Sequence, residues 1–117
     1  MHKRLGDALA KKEYRQAIAD YDHALALDPT IATVYNNRGN AYFALNEYEQ
    51  AIADYSRAIE LNKRLAIAYN SRGYAYARLG KYRRAIEDYN SALQWDANHP
   101  AARINREQAY QRLKEQQ

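Results

Sequence analysis

Apolar and small side chains recur three and four residues apart along most of this chain, with charged and amide side chains between them. That is the pattern of amphipathic helices. Between Ile31 and Leu45, Tyr35, Gly39 and Tyr42 keep helical spacing, and Asn46 follows where a left-handed residue is tolerated as a helix stop. Tyr48, Ala51, Tyr55 and Ala58 then share one face of a second helix, large and small side chains alternating so that neighbours can interdigitate. Gly80 repeats the stop, and Pro29 and Pro100 lie between helices, each near the start of the next. The spacing predicts helices over Leu5 to Lys11, Glu13 to Leu27, Ile31 to Leu45, Glu47 to Leu61, Leu65 to Leu79, Lys81 to Trp95 and Pro100 to Lys114.

A shift of 34 residues superimposes the chain on itself. Tyr14, Tyr48 and Tyr82 align, as do Ala17, Ala51 and Ala85; Ile18, Ile52 and Ile86; Asp20, Asp54 and Asp88; Tyr21, Tyr55 and Tyr89; and Ala24, Ala58 and Ala92. Upstream, Tyr35, Arg38, Gly39 and Tyr42 match Tyr69, Arg72, Gly73 and Tyr76. Most of the tyrosines fall in this packing stripe, which assigns them to a core and not to stacking on nucleic-acid bases.

These residues resemble the tetratricopeptide (TPR) family, whose unit is two antiparallel helices. The middle repeat supplies the family's Tyr35, Gly39, Tyr42, Ala51, Tyr55 and Ala58. The resemblance implies an all-α fold: a right-handed superhelical stack, or α-solenoid, of three helix-turn-helix repeats and a C-terminal capping helix. One domain, 1–117, is expected to divide into repeats at 1–31, 32–65 and 66–99 and a capping helix at 100–117. Repeat 1 is N-terminally truncated in this reading and starts in mid-helix. Its spacing from Gly6 to Tyr14 is one residue shorter than that from Gly39 to Tyr48, which predicts a tighter turn. Lys63 and Ala97 stand where the family has its closing Pro, and Trp95 replaces Leu27 and Leu61. Trp95 is expected to cover the junction with the last helix, whose buried stripe is Ala102, Ala109 and Leu113. Terminal repeats need a polar outer face, and the N-terminal unit has none. Leu5 and Leu9 there make end-to-end self-association, in a structural, self-assembling or engineered scaffold, the rival expectation to ligand binding.

Composition narrows the function. At 117 residues the chain holds one core. Its mean hydropathy of −0.85, together with the lack of any 18-residue apolar run, points away from a membrane, and the cytoplasm is the default compartment. There is no cysteine, hence no disulfide or thiolate site. Residues 1–65 carry nine basic and nine acidic side chains and residues 66–117 nine and five, so the net charge of +4 is all C-terminal. Arg78, Lys81, Arg83 and Arg84 are the nearest approach to a basic cluster, too small to predict nucleic acid as a partner. His2, His23 and His99 share no metal-ligand spacing, and no phosphate loop or nucleophile beside a His is found. No enzyme activity, metal or cofactor is expected.

What remains is a protein or peptide partner. The resemblance implies that the first helix of each unit lines a concave groove, to which the spacing assigns Thr33, Asn36, Asn40, Phe43 and Ala44; Ile67, Asn70, Tyr74, Ala77 and Arg78; Ile104 and Gln108; and Lys3 and Asp7, with Asn37 at the edge. Asn costs a helix up to about 0.7 kcal/mol against Ala, so stability did not select Asn36, Asn37, Asn40 and Asn70. Each carboxamide offers a donor and an acceptor, as the backbone of an extended peptide requires, and Phe43 and Tyr74 add apolar contact. Some family members clamp a C-terminal carboxylate with Lys and Asn. Lys3 and Asn37 match two clamp places, but Asp7, Ile67 and Ser71 do not match the others, which argues against acidic chaperone-type tails. Arg38 and Arg72 are predicted to pair with Asp54 and Asp88 as structural ion pairs, whereas Leu5 replaces the Arg opposite Asp20.

Overall fold

A computed structural model describes residues 2–117, with side chains from residue 6 onward. Its helices are α1 (His2–Leu27), α2 (Ala32–Ala44), α3 (Tyr48–Leu61), α4 (Ala66–Arg78), α5 (Tyr82–Trp95) and α6 (Pro100–Gln116). Each packs on its neighbour in the chain, and α2 also touches α4 as α4 touches α6, so first helices line up beside first helices as in an α-solenoid.

The two hairpin turns are built identically. Asn46 and Gly80 sit at φ 62° and 76°, the left-handed region. The amide of Glu47 reaches back to the Tyr42 carbonyl at 2.9 Å and that of Asn46 to Phe43 at 2.9 Å, which satisfies the free carbonyls at the end of α2. Lys81 and Gly80 repeat this on Tyr76 and Ala77. A Cβ at Gly80 would meet nothing closer than Gln116 at 4.0 Å, so Gly80→Ala carries only the conformational cost. It is expected to lower stability by about 1–2 kcal/mol in denaturant titration.

The first unit departs from expectation. Leu5 to Lys11 and Glu13 to Leu27 are not two helices with a tight turn but one, α1, of 26 residues. The cause is local: Lys12 stands where Asn46 and Gly80 make their stops, and Ala8 to Glu13 are good helix formers with no residue suited to positive φ. The links between units share a different device. Asp28, Asn62 and Asp96, one period apart, each accept a bond from the backbone amide two residues on. His99 caps α6, its Nδ1 accepting from the Ala102 amide at 3.1 Å.

Inside each hairpin the small positions are sealed: Ala51, Ala58, Ala85 and Ala92 are fully buried, with Tyr55 and Tyr89 beside them. The two Arg to Asp pairs form as predicted. Arg38 Nε and Nη2 donate to Asp54 at 2.8 and 2.7 Å, and Arg72 Nε and Nη2 to Asp88 at 2.9 and 2.8 Å. The remaining Nη1 crosses to the preceding unit, to Asp22 at 2.9 Å from Arg38 and to Ser56 at 3.2 Å from Arg72. Arg106 in α6 makes the corresponding bond to Asn90 at 2.8 Å. On α6, Ala102 and Ala109 are buried and Leu113 half-buried, while Arg103, Glu107, Gln111 and Lys114 are exposed, as expected of a cap. Trp95 does not seal the junction. It is exposed, with the Arg64 guanidinium 5.3 Å above its ring.

Candidate functional site

α2, α4 and α6 present one face in common, and it holds two open hollows. The first, between α1 and α2, is lined by Tyr14, Ala17, Tyr21, Asn37, Asn40 and Ala44. The second, of about 250 Å³, lies among α4, α5 and α6 against Tyr74, Arg78, Tyr82, Asn105, Gln108 and Arg112. They are the same place two periods apart: Asn37 aligns with Asn105, Asn40 with Gln108 and Ala44 with Arg112. The second is too small for a drug-sized molecule and large enough for a side chain.

Between the hollows runs an aromatic bridge. Phe43 of α2 stacks on Tyr74 of α4 at 5.2 Å and takes the edge of Tyr48 at 5.1 Å. The Arg78 guanidinium lies 5.3 Å over Tyr74 and 6.0 Å over Phe43, and its Nη2 donates to the Tyr74 hydroxyl at 3.3 Å. Tyr74 and Arg78 remain exposed. Among the described residues Arg78 pairs with no carboxylate, so its charge is directed at solvent.

The predicted site residues separate into groups. Asn37, Asn40, Phe43, Tyr74, Arg78 and Gln108 line the two hollows or the bridge between them. Asn40 accepts from the buried Tyr55 hydroxyl at 2.7 Å, leaving its amide NH₂ available. Asn70 is half-buried and accepts from Asn105 at 3.3 Å, so it braces α4 on α6. Ile104 is 59% exposed, as is Ile67 at 50%, and neither lines a hollow. Asn36 must be corrected: it is only 4% exposed, and its Oδ1 is buried without a partner. It occupies the place on α2 that Asn70 has on α4, where the next first helix packs, so its carboxamide is closed off. Asp7 must be corrected too, because the unbroken α1 carries it out in line and away from the groove; the Lys3 side chain lies outside the described residues. Arg112, Asn105 and Tyr82 were not anticipated, although Arg112 stands one period after Arg78.

A family model described as "TPR repeat" matches residues 6–46 and again 39–80, and one described as "Tetratricopeptide repeat" matches 66–98. The chain belongs to the tetratricopeptide repeat family. No curated protein sequence matches it. Among solved structures it is similar to the Arabidopsis OM64 TPR domain, at 29% identity and TM-score 0.83 over 86% of this chain and 83% of that one. The first TPR of Spaghetti (RPAP3), bound to HSP90 peptide SRMEEVD, gives 28% and 0.85 over 96% and 89%. The second TPR domain of human RPAP3, in complex with HSP70 peptide SGPTIEEVD, gives 27% and 0.80 over 89% and 95%. The structure is thus a stack of TPR helices in which the first unit is one straight helix. Among the described residues no helix is long and apolar enough to cross a membrane.

Proposed function

We propose that this TPR chain is a non-enzymatic interaction scaffold that holds an extended peptide or partner segment on the face shared by α2, α4 and α6. The observation that carries the reading is the bridge of half-buried Phe43 with exposed Tyr74 and Arg78. It orders two aromatic rings and a cation between hollows that no side chain of the chain fills. Peptide complexes of similar TPR domains support it. In this reading Tyr74 and Phe43 take an apolar side chain, Arg78 and Arg112 take an acidic group in the second hollow, and Asn37, Asn40 and Gln108 bond the peptide backbone. The carboxylate clamp is not reproduced: Ile67 is apolar, and Asp7 would repel a terminal carboxylate if brought near it.

The test is selection from a displayed peptide library, followed by fluorescence titration of the selected peptides. Tyr74→Ala and Arg78→Glu are each expected to weaken binding about tenfold or more, as removal of an anchoring aromatic or cation does, while Arg57→Glu on α3 leaves it unchanged. SRMEEVD is expected to bind at least about tenfold more weakly than the selected peptides, one missing charge pair being worth that factor. Equal binding by Tyr74→Ala, Arg78→Glu and the unaltered chain would place the ligand elsewhere.

A further inference from the structure

In the two complete hairpins the second helix hides one face under the first. Ala51 and Ala85 are fully buried there, Tyr55 and Tyr89 nearly so, and Asp54 and Asp88 sit under their arginines. The same face exists on α1, where among the described residues α2 flanks it on one side and no first helix of its own hairpin covers the other. Ala17 and Tyr21 are half-buried, while Tyr14 and Asp20 are exposed, and Asp20 has no ion pair among the described residues. The segment that aligns with the covering helices has gone straight on instead of turning back. It retains their features: Gly6 aligns with Gly39 and Gly73, which let the helices touch, and its apolar Leu9 is 59% exposed.

We propose that two copies of this chain pair through α1, the first half of each helix covering the face that the other leaves open. The register follows from the hairpins. Gly39 lies against Ala51 and Tyr55, and Gly73 against Ala85 and Tyr89. Placing Gly6 of one copy against Ala17 and Tyr21 of a second, antiparallel copy sets Leu9 opposite Gln16 and Lys12 opposite Glu13, so the two-fold axis falls between Lys12 and Glu13. Leu9, Lys12, Glu13, Gln16, Ala17 and Asp20 line one continuous strip of α1, and this strip is complementary to itself about that axis. The dimer then holds two Lys12 to Glu13 pairs across its centre, each copy supplying one Lys12 and one Glu13. A hinge shortened by one residue and lacking a turn former is the condition under which neighbouring copies exchange an element. The exchange also walls the first hollow as α4 walls the second. The inference rests on α1 and stands whether or not the groove takes a peptide.

Light scattering over a concentration series tests it, with peptide absent. The unaltered chain is expected to approach the mass of two chains. Gly6→Leu places bulk where the second copy's Tyr21 must approach, yet a side chain at Gly6 meets nothing within 4 Å in the single chain. It is expected to raise the dimer dissociation constant about tenfold or more, at unchanged helicity. Glu13→Lys, which opposes Lys12 with a like charge, is expected to weaken the dimer, and Lys12→Glu with Glu13→Lys to restore it. A one-chain mass at every concentration overturns the pairing, as does a dimer indifferent to both Gly6→Leu and Glu13→Lys.

Discussion

Asp88→Ala is expected to lower the unfolding free energy by about 3–5 kcal/mol, the range for removing one partner of a buried ion pair. The measurement is the denaturant midpoint at unchanged slope. Asp88 is 5% exposed and takes two bonds from Arg72, at 2.9 and 2.8 Å; without it the guanidinium keeps one hydrogen bond, to the Ser56 hydroxyl, and the Tyr69 ring at 5.8 Å, with no carboxylate. The loss does not measure what the pair adds. Burial pushes the Asp88 carboxyl above its usual range, against the opposing pull of the Arg72 bonds, so the charged form is held at a desolvation cost. Arg72→Met with Asp88→Leu is therefore expected to recover most of the loss. Asp54→Ala should cost less than Asp88→Ala, because Arg38 keeps the carboxylate of Asp22 at 2.9 Å. A loss below about 1 kcal/mol at Asp88, the scale of a surface pair, would show that the pairing carries no structural weight.

What the sequence disclosed, it disclosed through its period. Arg38 with Asp54 and Arg72 with Asp88 were legible because the same two side chains return after 34 residues on faces that a hairpin must bring together. The stops at Asn46 and Gly80 were legible from the tolerance of Asn and Gly for positive φ. The same rule applied to Lys12 would have revealed the straight α1, but the repeat pattern suggested a turn and outweighed it. Asn36 was placed in the groove by spacing alone. Its burial is decided by how α4 lies on α2, a relation between units that periodicity within one helix does not contain. Arg112 lies on the last helix, where the period that marks Arg78 also marks it. Phe43 and Tyr74 follow from helical spacing as residues of one face, while their stacking across two units depends on a separation that only the packed helices define.

Gly73→Leu is expected to be as damaging as the loss of Asp88, and Gly73→Ala separates the two forces behind it. In a helix interior Gly→Ala ordinarily gains about 1 kcal/mol in propensity. Here the new Cβ would lie 2.8 Å from Tyr89 Cε1, 3.0 Å from the Ala85 carbonyl oxygen and 3.1 Å from the Asp88 Cβ. Tyr89 is 1% exposed and Ala85 fully buried, so neither can move aside without separating α4 from α5. Overpacking of this kind costs about 1–3 kcal/mol. Gly73→Ala should therefore lower stability by about 1 kcal/mol despite its better propensity, and Gly73→Leu by about 3 kcal/mol or more. The separation would also draw Arg72, the preceding residue on α4, away from Asp88. Gly73→Leu combined with Asp88→Ala should accordingly cost less than the two losses added. A rise in stability on Gly73→Ala would mean that α4 and α5 do not meet at the glycine, and the small-residue contact would then have no part in fixing the hairpin.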